Sequence, residues 1–298
     1  MELSTLTRQE WRPAQEAHAA RVDALTAGIR DRAARGEKHP IGDFLVEYYG
    51  HSPGRLRRWE PGPGRVLLDA ADAGCAGRSH HRTDADGTVR LDTEAFVARR
   101  GRTVRFVRDL LAATLSRPAA TACFGLHEWA MVYRLAPGQQ RHEALPLRLT
   151  QAETDAVVEG HRIRCSHFDA YRFFTADARP RNTLRPTRET QIHHEQPGCL
   201  HAGMDVYKWC FKLAPAVPSE LTADAFEHAL AVRVLDMQAS PYDLAAFDLP
   251  PVRIETSSGK AEFVDRQRDL VARSNALRHR LLEVCDALLL SAPAHPPA

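Results

Sequence analysis

The chain has 298 residues, 44% hydrophobic and 26% charged, and its 40 basic side chains against 38 acidic ones leave a net charge of +2. That composition supports a sizeable buried core, and the even charge balance excludes the strongly basic class of proteins that coat nucleic acid. With no 18-residue apolar run and no basic-then-apolar leader, a cytoplasmic location without membrane contact is expected.

In chain order, residues 9–35 place Trp11, His18, Val22, Leu25, Ile29 and Ala33 at three-, four- or seven-residue intervals, which predicts an amphipathic helix stopped by Gly36. IGDFLVEYYG predicts a second short helix closed by Gly50, and the basic GRLRRW follows at 54–59. Residues 60–90 are rich in Gly, Asp and Pro around an apolar Val66–Leu68 that suits a strand. His80 and His81 lie in this loop and read as solvent-exposed. Residues 92–116 predict a helix with Phe96, Val104, Val107, Leu111 and Leu115 on one face. The arginines of RRGRTVRFVR, Arg99, Arg102 and Arg105 among them, form a solvated face or an anion contact. CFGLHEWAMVYRL at 123–135 is apolar enough for the core yet carries His127 and Glu128, which need partners there.

Short strands are expected at 144–149 and 162–168, and Thr150 with Glu153 is a capping box that opens a helix. Helices are expected at 201–213 and 219–237, with DMQASPYDL at 236–244 as a turn-rich break. From Gly259 to Leu290 the apolar positions fall at near-heptad spacing, predicting a long amphipathic C-terminal helix, followed by a frayed tail at 291–298. Together these predict a single compact α+β domain over 1–290, predominantly helical with a few short strands.

Chemistry concentrates in residues 161–212, which hold Cys165, His167, Asp169, His193, His194, Glu195, His201 and Asp205 beside Tyr171, Phe173, Tyr207 and Trp209. If Ile163–Asp169 is extended, Cys165, His167 and Asp169 share one side, and the same alternation groups His193 with Glu195. On the following helix His201, Asp205 and Trp209 share a face. These groups, with Glu128, are the candidate proton-transfer residues of a pocket for a flat or polar ligand. An alternative is zinc or iron held by His127, His167, His201 and Glu195. A Cys165 nucleophile beside His167 is a further alternative. The six cysteines form no CxxC pair, and no GxSxG, GxxxxGK[ST] or GxGxxG is present.

The phrases GEKHPIGDFLVEYYG, RLRRW, CFGLHEWAMVYR, IRCSHFDAYRFFT, EQPGCLHAGMDVYKW and MQASPYDL, spread over almost the whole chain, resemble those of an actinobacterial group identified as 3-methyladenine DNA glycosylases. The resemblance implies cleavage of the N-glycosidic bond of an alkylated purine, flipped from DNA or presented as a nucleoside, with no cofactor. Tyr171, Phe173, Tyr207 and Trp209 would face the cationic base. A carboxylate among Glu128, Asp169, Glu195 and Asp205 would orient water, with His167 and His201 nearby, while Arg99, Arg102 and Arg105 would hold phosphates. Helix-hairpin-helix glycosylases share a Pro-Gly-apolar-Gly loop; the nearest stretch here, Pro197-Gly198-Cys199-Leu200, has leucine at the second glycine, and no residue is carried over from them. A metal-dependent small-molecule enzyme and a non-catalytic ligand-binding protein stand as the other two readings, and the oligomeric state is not specified.

Overall fold

A computed structural model describes residues 3–121, 123–136 and 145–291 of the chain. The elements are β1 (Ser4–Leu6), α1 (Arg8–Ala34), α2 (Phe44–Tyr49), α3 (Pro53–Leu56), β2 (Arg65–Leu67), β3 (His81–Thr83), β4 (Val89–Leu91) and α4 (Thr93–Leu115). There follow α5 (Leu126–Met131), α6 (Gln151–Glu159), α7 (Phe168–Tyr171), α8 (Gln191–His194), α9 (Leu200–Lys212), α10 (Ser219–Gln238) and α11 (Ser257–Leu290). The fold is therefore predominantly helical α+β with a long C-terminal helix, as the periodicities predict. No helix among the described residues is long and apolar enough to cross a membrane.

The chain gathers into two compact units, one built from residues 1–111, 206–230 and 276–298, the other from 112–205 and 231–275. The division falls inside α4, α9, α10 and α11. In the first unit the four strands form one small sheet in the order β1-β2-β4-β3, parallel only between β1 and β2. Against it Trp11, Trp59, Leu67, Ala70, Ala73, Cys75 and Val89 make a core cluster. The helix α1 opens with the Glu10 carboxylate accepting from the Thr7 backbone N–H at 2.8 Å, and its buried stripe is Trp11, His18, Val22, Thr26 and Ile29.

The second unit packs α5 and α6 with the ends of the long helices that belong to it. Its largest buried side chains include Trp129, Tyr133, Tyr242 and Phe263. The Trp129 indole N–H donates to the Ala239 carbonyl at 2.9 Å, tying α5 to the end of α10. In place of the strands expected at 144–149 and 162–168 the described residues form isolated bridges, Leu147 with Tyr242 and Ile163 with Asn182, with bends at 145, 148 and 149 and helix α7 from Phe168; residue 144 lies outside the described residues. A side-chain amide takes the place of a partner strand in the second: Asn182 accepts from the Cys165 N–H at 2.7 Å and donates to the Cys165 carbonyl at 3.0 Å. The break placed at Asp236 begins three residues later, at Ala239, because α10 runs to Gln238. Of the expected tail, all beyond Ser291 lies outside the described residues.

Candidate functional site

Every residue of the site belongs to the second unit. Phe124 and Gly125 both adopt positive φ, 46° and 66°, and this tight turn launches α5 so that His127, Glu128 and Trp129 all face inward. The first turns of α9 carry His201 and Asp205 at i, i+4 on one face. The last turns of α10 carry Arg233 and Asp236. His167 stands at the N-cap of α7 and Glu195 at the C-cap of α8.

These elements bring together two buried triads. In the first, His127, His201 and Asp236 each offer a ligand atom within 4.8 Å of the others. His127 Nε2 lies 3.0 Å from Asp236 Oδ1, a close ionic contact that lacks the alignment of a hydrogen bond. His201 Nδ1 is also buried without a hydrogen-bond partner. In the second triad, His167 Nε2 lies 3.1 Å from Asp205 Oδ2, in hydrogen-bond geometry, and 3.5 Å from Glu195 Oε1. The imidazoles run in a row, His201 edge-on to His127 with ring centroids 4.4 Å apart and near-parallel to His167 at 5.3 Å. Beside them Arg233 Nη1 donates to Glu128 Oε1 at 3.1 Å and Asp236 Oδ2 at 3.2 Å, so Glu128 is the partner of a buried cation.

Burial works against charge on all these groups, and the neighbours decide the outcome. It opposes protonation of His127, but Asp236 outweighs it and holds that imidazole well above the usual histidine range. Burial, reinforced by His127 and His167, drives His201 well below that range, which leaves a neutral ring with an available lone pair. Asp236 is held below the usual carboxylate range because His127, His201 and Arg233 overcome its burial. Burial pushes the Cys165 thiol up to about 12, against the lowering effect of His127, and Cys199 well above its ordinary value, so both are held as protonated thiols, which disfavours a Cys165 nucleophile.

A cavity of about 700 Å³ in the same unit is lined by Arg117, Arg162, Arg164, His193 and His194. Cys123, Ser166 and Gln196 line it too, and the last two are the chain neighbours of His167 and Glu195.

Of the predicted residues, the structure gathers His127, Glu128, His167, Glu195, His201 and Asp205. It does not bring Asp169 to them. The extended run ends at His167, so Asp169 sits on α7 and pairs with Arg172 at 3.3 Å. His193 and Glu195 do not alternate along a strand either, because Gln191–His194 is helical. The aromatic wall is likewise dispersed. Tyr171 packs on Phe174, and Phe173 lies under the Arg172 guanidinium at 4.2 Å. Tyr207 and Trp209 belong to the first unit, Tyr207 among Tyr49, Phe211 and Phe226, and Trp209 against Phe106. Trp209 shares a helix face with Asp205 but stands a full turn, about 6 Å, further along the axis. Arg99, Arg102 and Arg105 are exposed on α4. The histidine loop is a correction of another kind: the His81 side chain is only 1% exposed and meets Glu60 at 3.1 Å, with Cys75 completing a third cluster of possible ligands, while His80 stands edge-on to Phe96.

Sequence reasoning missed Asp236 and Arg233. A signal was there: ALAVRVLDM is apolar but for one cation and one anion three residues apart, and a helix apolar on every side buries both. No family model, no curated protein and no solved structure matches the chain.

Proposed function

We propose that this chain is a metal-dependent hydrolase whose centre is His127, His201 and Asp236 and whose acid–base group is His167. The observation that carries this reading is the contrast between the two triads. The second is closed by the His167–Asp205 hydrogen bond, whereas the first holds two imidazoles and a carboxylate within ligand distance of one another, with His127 Nε2 and Asp236 Oδ1 touching at 3.0 Å out of hydrogen-bond alignment and His201 Nδ1 buried without a hydrogen-bond partner. Buried polar atoms are normally closed by hydrogen bonds, so three ligand-type groups this close together and not closed in that way suit a cation. Two imidazoles and a carboxylate fit zinc or ferrous iron.

Such an ion would supply Lewis acidity and an activated water. Asp236, tied to Arg233, fixes one donor, neutral His201 offers another without losing a proton, and His127, which Asp236 holds protonated, would release its proton to solvent as an ion is bound. His167, oriented through Nε2 by Asp205, would be the group to take up the proton of such a water. Arg117, Arg162 and Arg164 on the wall of the 700 Å³ cavity favour a small anionic substrate.

Elemental analysis of the purified protein is expected to find about one zinc or iron per chain, lost in His201→Ala and Asp236→Asn variants that keep their helical circular dichroism. Metal-free protein that fails to take up one equivalent of either ion would overturn the reading. The N-glycosylase reading draws on two other observed groups, the buried Asp205 and Glu195 carboxylates against one imidazole. Release of 3-methyladenine from alkylated DNA that survives full chelation and disappears in Asp205→Asn would favour it instead.

A further inference from the structure

A second cavity, of about 510 Å³, lies wholly in the first unit. The two basic stretches noted in the sequence meet here. Arg55 and Arg58 come from the first, Arg100 from the second, and Arg78 and Lys212 join them on the wall. Among the described residues only one acid, Glu60, lines the cavity, and it already pairs with Arg78 at 3.2 Å and with His81 at 3.1 Å. The neighbouring Arg57 is neutralised by Asp23, but Arg55, Arg58 and Lys212 have no carboxylate partner among the described residues. The first turn of α10, through Ser219 and Thr222, also borders the cavity and adds the positive end of a 20-residue helix.

One wall is aromatic. His51 and Phe211 stack with centroids 4.6 Å apart and planes 10° from parallel, and Tyr49 meets Phe211 edge-on at 6.0 Å. A hydrogen bond of 2.8 Å between His51 Nδ1 and the Tyr207 hydroxyl holds the imidazole in place. Burial, with Arg55 and Arg58 nearby, pushes His51 down to about 4, so the ring is neutral at physiological pH.

We propose that this cavity is a binding site for a nucleoside di- or triphosphate, with Arg55, Arg58, Arg100 and Lys212 taking the phosphates and the Tyr49–His51–Phe211 wall taking the base. Cations spread along the wall suit several linked phosphates, and unpaired guanidinium groups offer forked donors to them. The flat rings give the selectivity that charge alone lacks. The volume falls within the usual range for small-molecule sites. The site shares no residue with the triads, so the two proposals stand or fall separately.

Calorimetric titration of the full chain with ADP, with pyrophosphate and adenosine as parallel probes, tests it. ADP is expected to bind more tightly than either fragment, and to weaken as salt is raised. Arg55→Ala and Arg58→Ala should each weaken ADP about tenfold or more, the weight of one charge-assisted hydrogen bond, while Arg57→Ala, which removes the same charge one position away, leaves it unchanged. His201→Ala should also bind ADP normally. Absence of ADP binding at millimolar concentration, or binding indifferent to the Arg55→Ala/Arg58→Ala double variant, would overturn the site. Pyrophosphate binding as tightly as ADP would overturn the nucleotide assignment, as would displacement of ADP by single-stranded DNA at far lower concentration.

Discussion

Arg233 carries its charge with only 1% of its surface exposed, and what makes that tolerable is a carboxylate on either side, Glu128 from α5 and Asp236 from its own helix. Removing one member of a buried ion pair leaves charge in a poorly solvated place, a loss of about 3 kcal/mol. Glu128→Ala should therefore lower the unfolding free energy by about that amount in urea titration, and Glu128→Gln, which keeps an acceptor for Arg233 Nη1, by clearly less. A loss below about 1 kcal/mol in the alanine variant would mean that Glu128 is not what holds Arg233. The same pair explains why Asp236 presents one oxygen to the triad: the other is engaged by Arg233 at 3.2 Å.

At the scale of elements, the start of α9 decides where His201 and Asp205 stand, and Gly198 sets that start. A Cβ there would fall 2.3 Å from the Ala120 carbonyl oxygen and 2.8 Å from its carbon, both backbone atoms that cannot swing aside. The turn is further held by Gln196, whose Oε1 accepts from the Ala120 and Gly198 N–H groups at 2.8 and 2.7 Å, and by Gln267, which donates to the Gly198 carbonyl at 2.6 Å. Gly198→Ala is expected to cost about 2 kcal/mol or more by overpacking and, under the metal reading proposed above, to lower metal uptake, since the displaced segment is the one that aims His201. Gly28→Ala in the middle of α1 is the contrasting case. Its Cβ would meet only the Arg32 guanidinium, at 3.2 Å, and relief of glycine's chain entropy should stabilise the protein by about 0.5 kcal/mol. Denaturant midpoints of the two variants should move in opposite directions.

Across the whole molecule, partly buried carboxylates held by arginines shape the response to acid. Burial pushes Glu255 up, but the two 2.6 Å bonds from Arg148 more than reverse it. Asp224 is depressed in the same way by Arg280 and Arg21. A carboxylate whose folded pKa lies below its unfolded value of about 4 contributes fully above that value, and the contribution is lost as pH falls through the folded one. The difference in unfolding free energy between wild type and Glu255→Gln should therefore be constant above about pH 5 and shrink below about pH 4. His51, at about 4 when folded against about 6.5 unfolded, acts with the same sign over a higher window. Its contribution is complete above pH 6.5 and fades towards pH 4, and its imidazole resonances in NMR should titrate near 4.

What the sequence by itself determined is the local part of this protein: the long helices α1, α4, α10 and α11, the Thr150–Glu153 capping box and the crowding of imidazoles and carboxylates before and within α9. Periodicity and capping report on residues a few positions apart, and for those the backbone geometry of a helix is enough. Only the tertiary structure decided that His167 meets Asp205 rather than Asp169, that His127 meets Asp236, and that Glu128 belongs to Arg233. It also decided that the His81 side chain is buried, and that Arg55 and Arg58 share a cavity with Arg100 while Arg99, Arg102 and Arg105 face solvent. Each of these depends on which helix faces approach one another. A pattern along one element states which side is apolar, but the identity of the charged group waiting on the opposing element is set by packing across the chain.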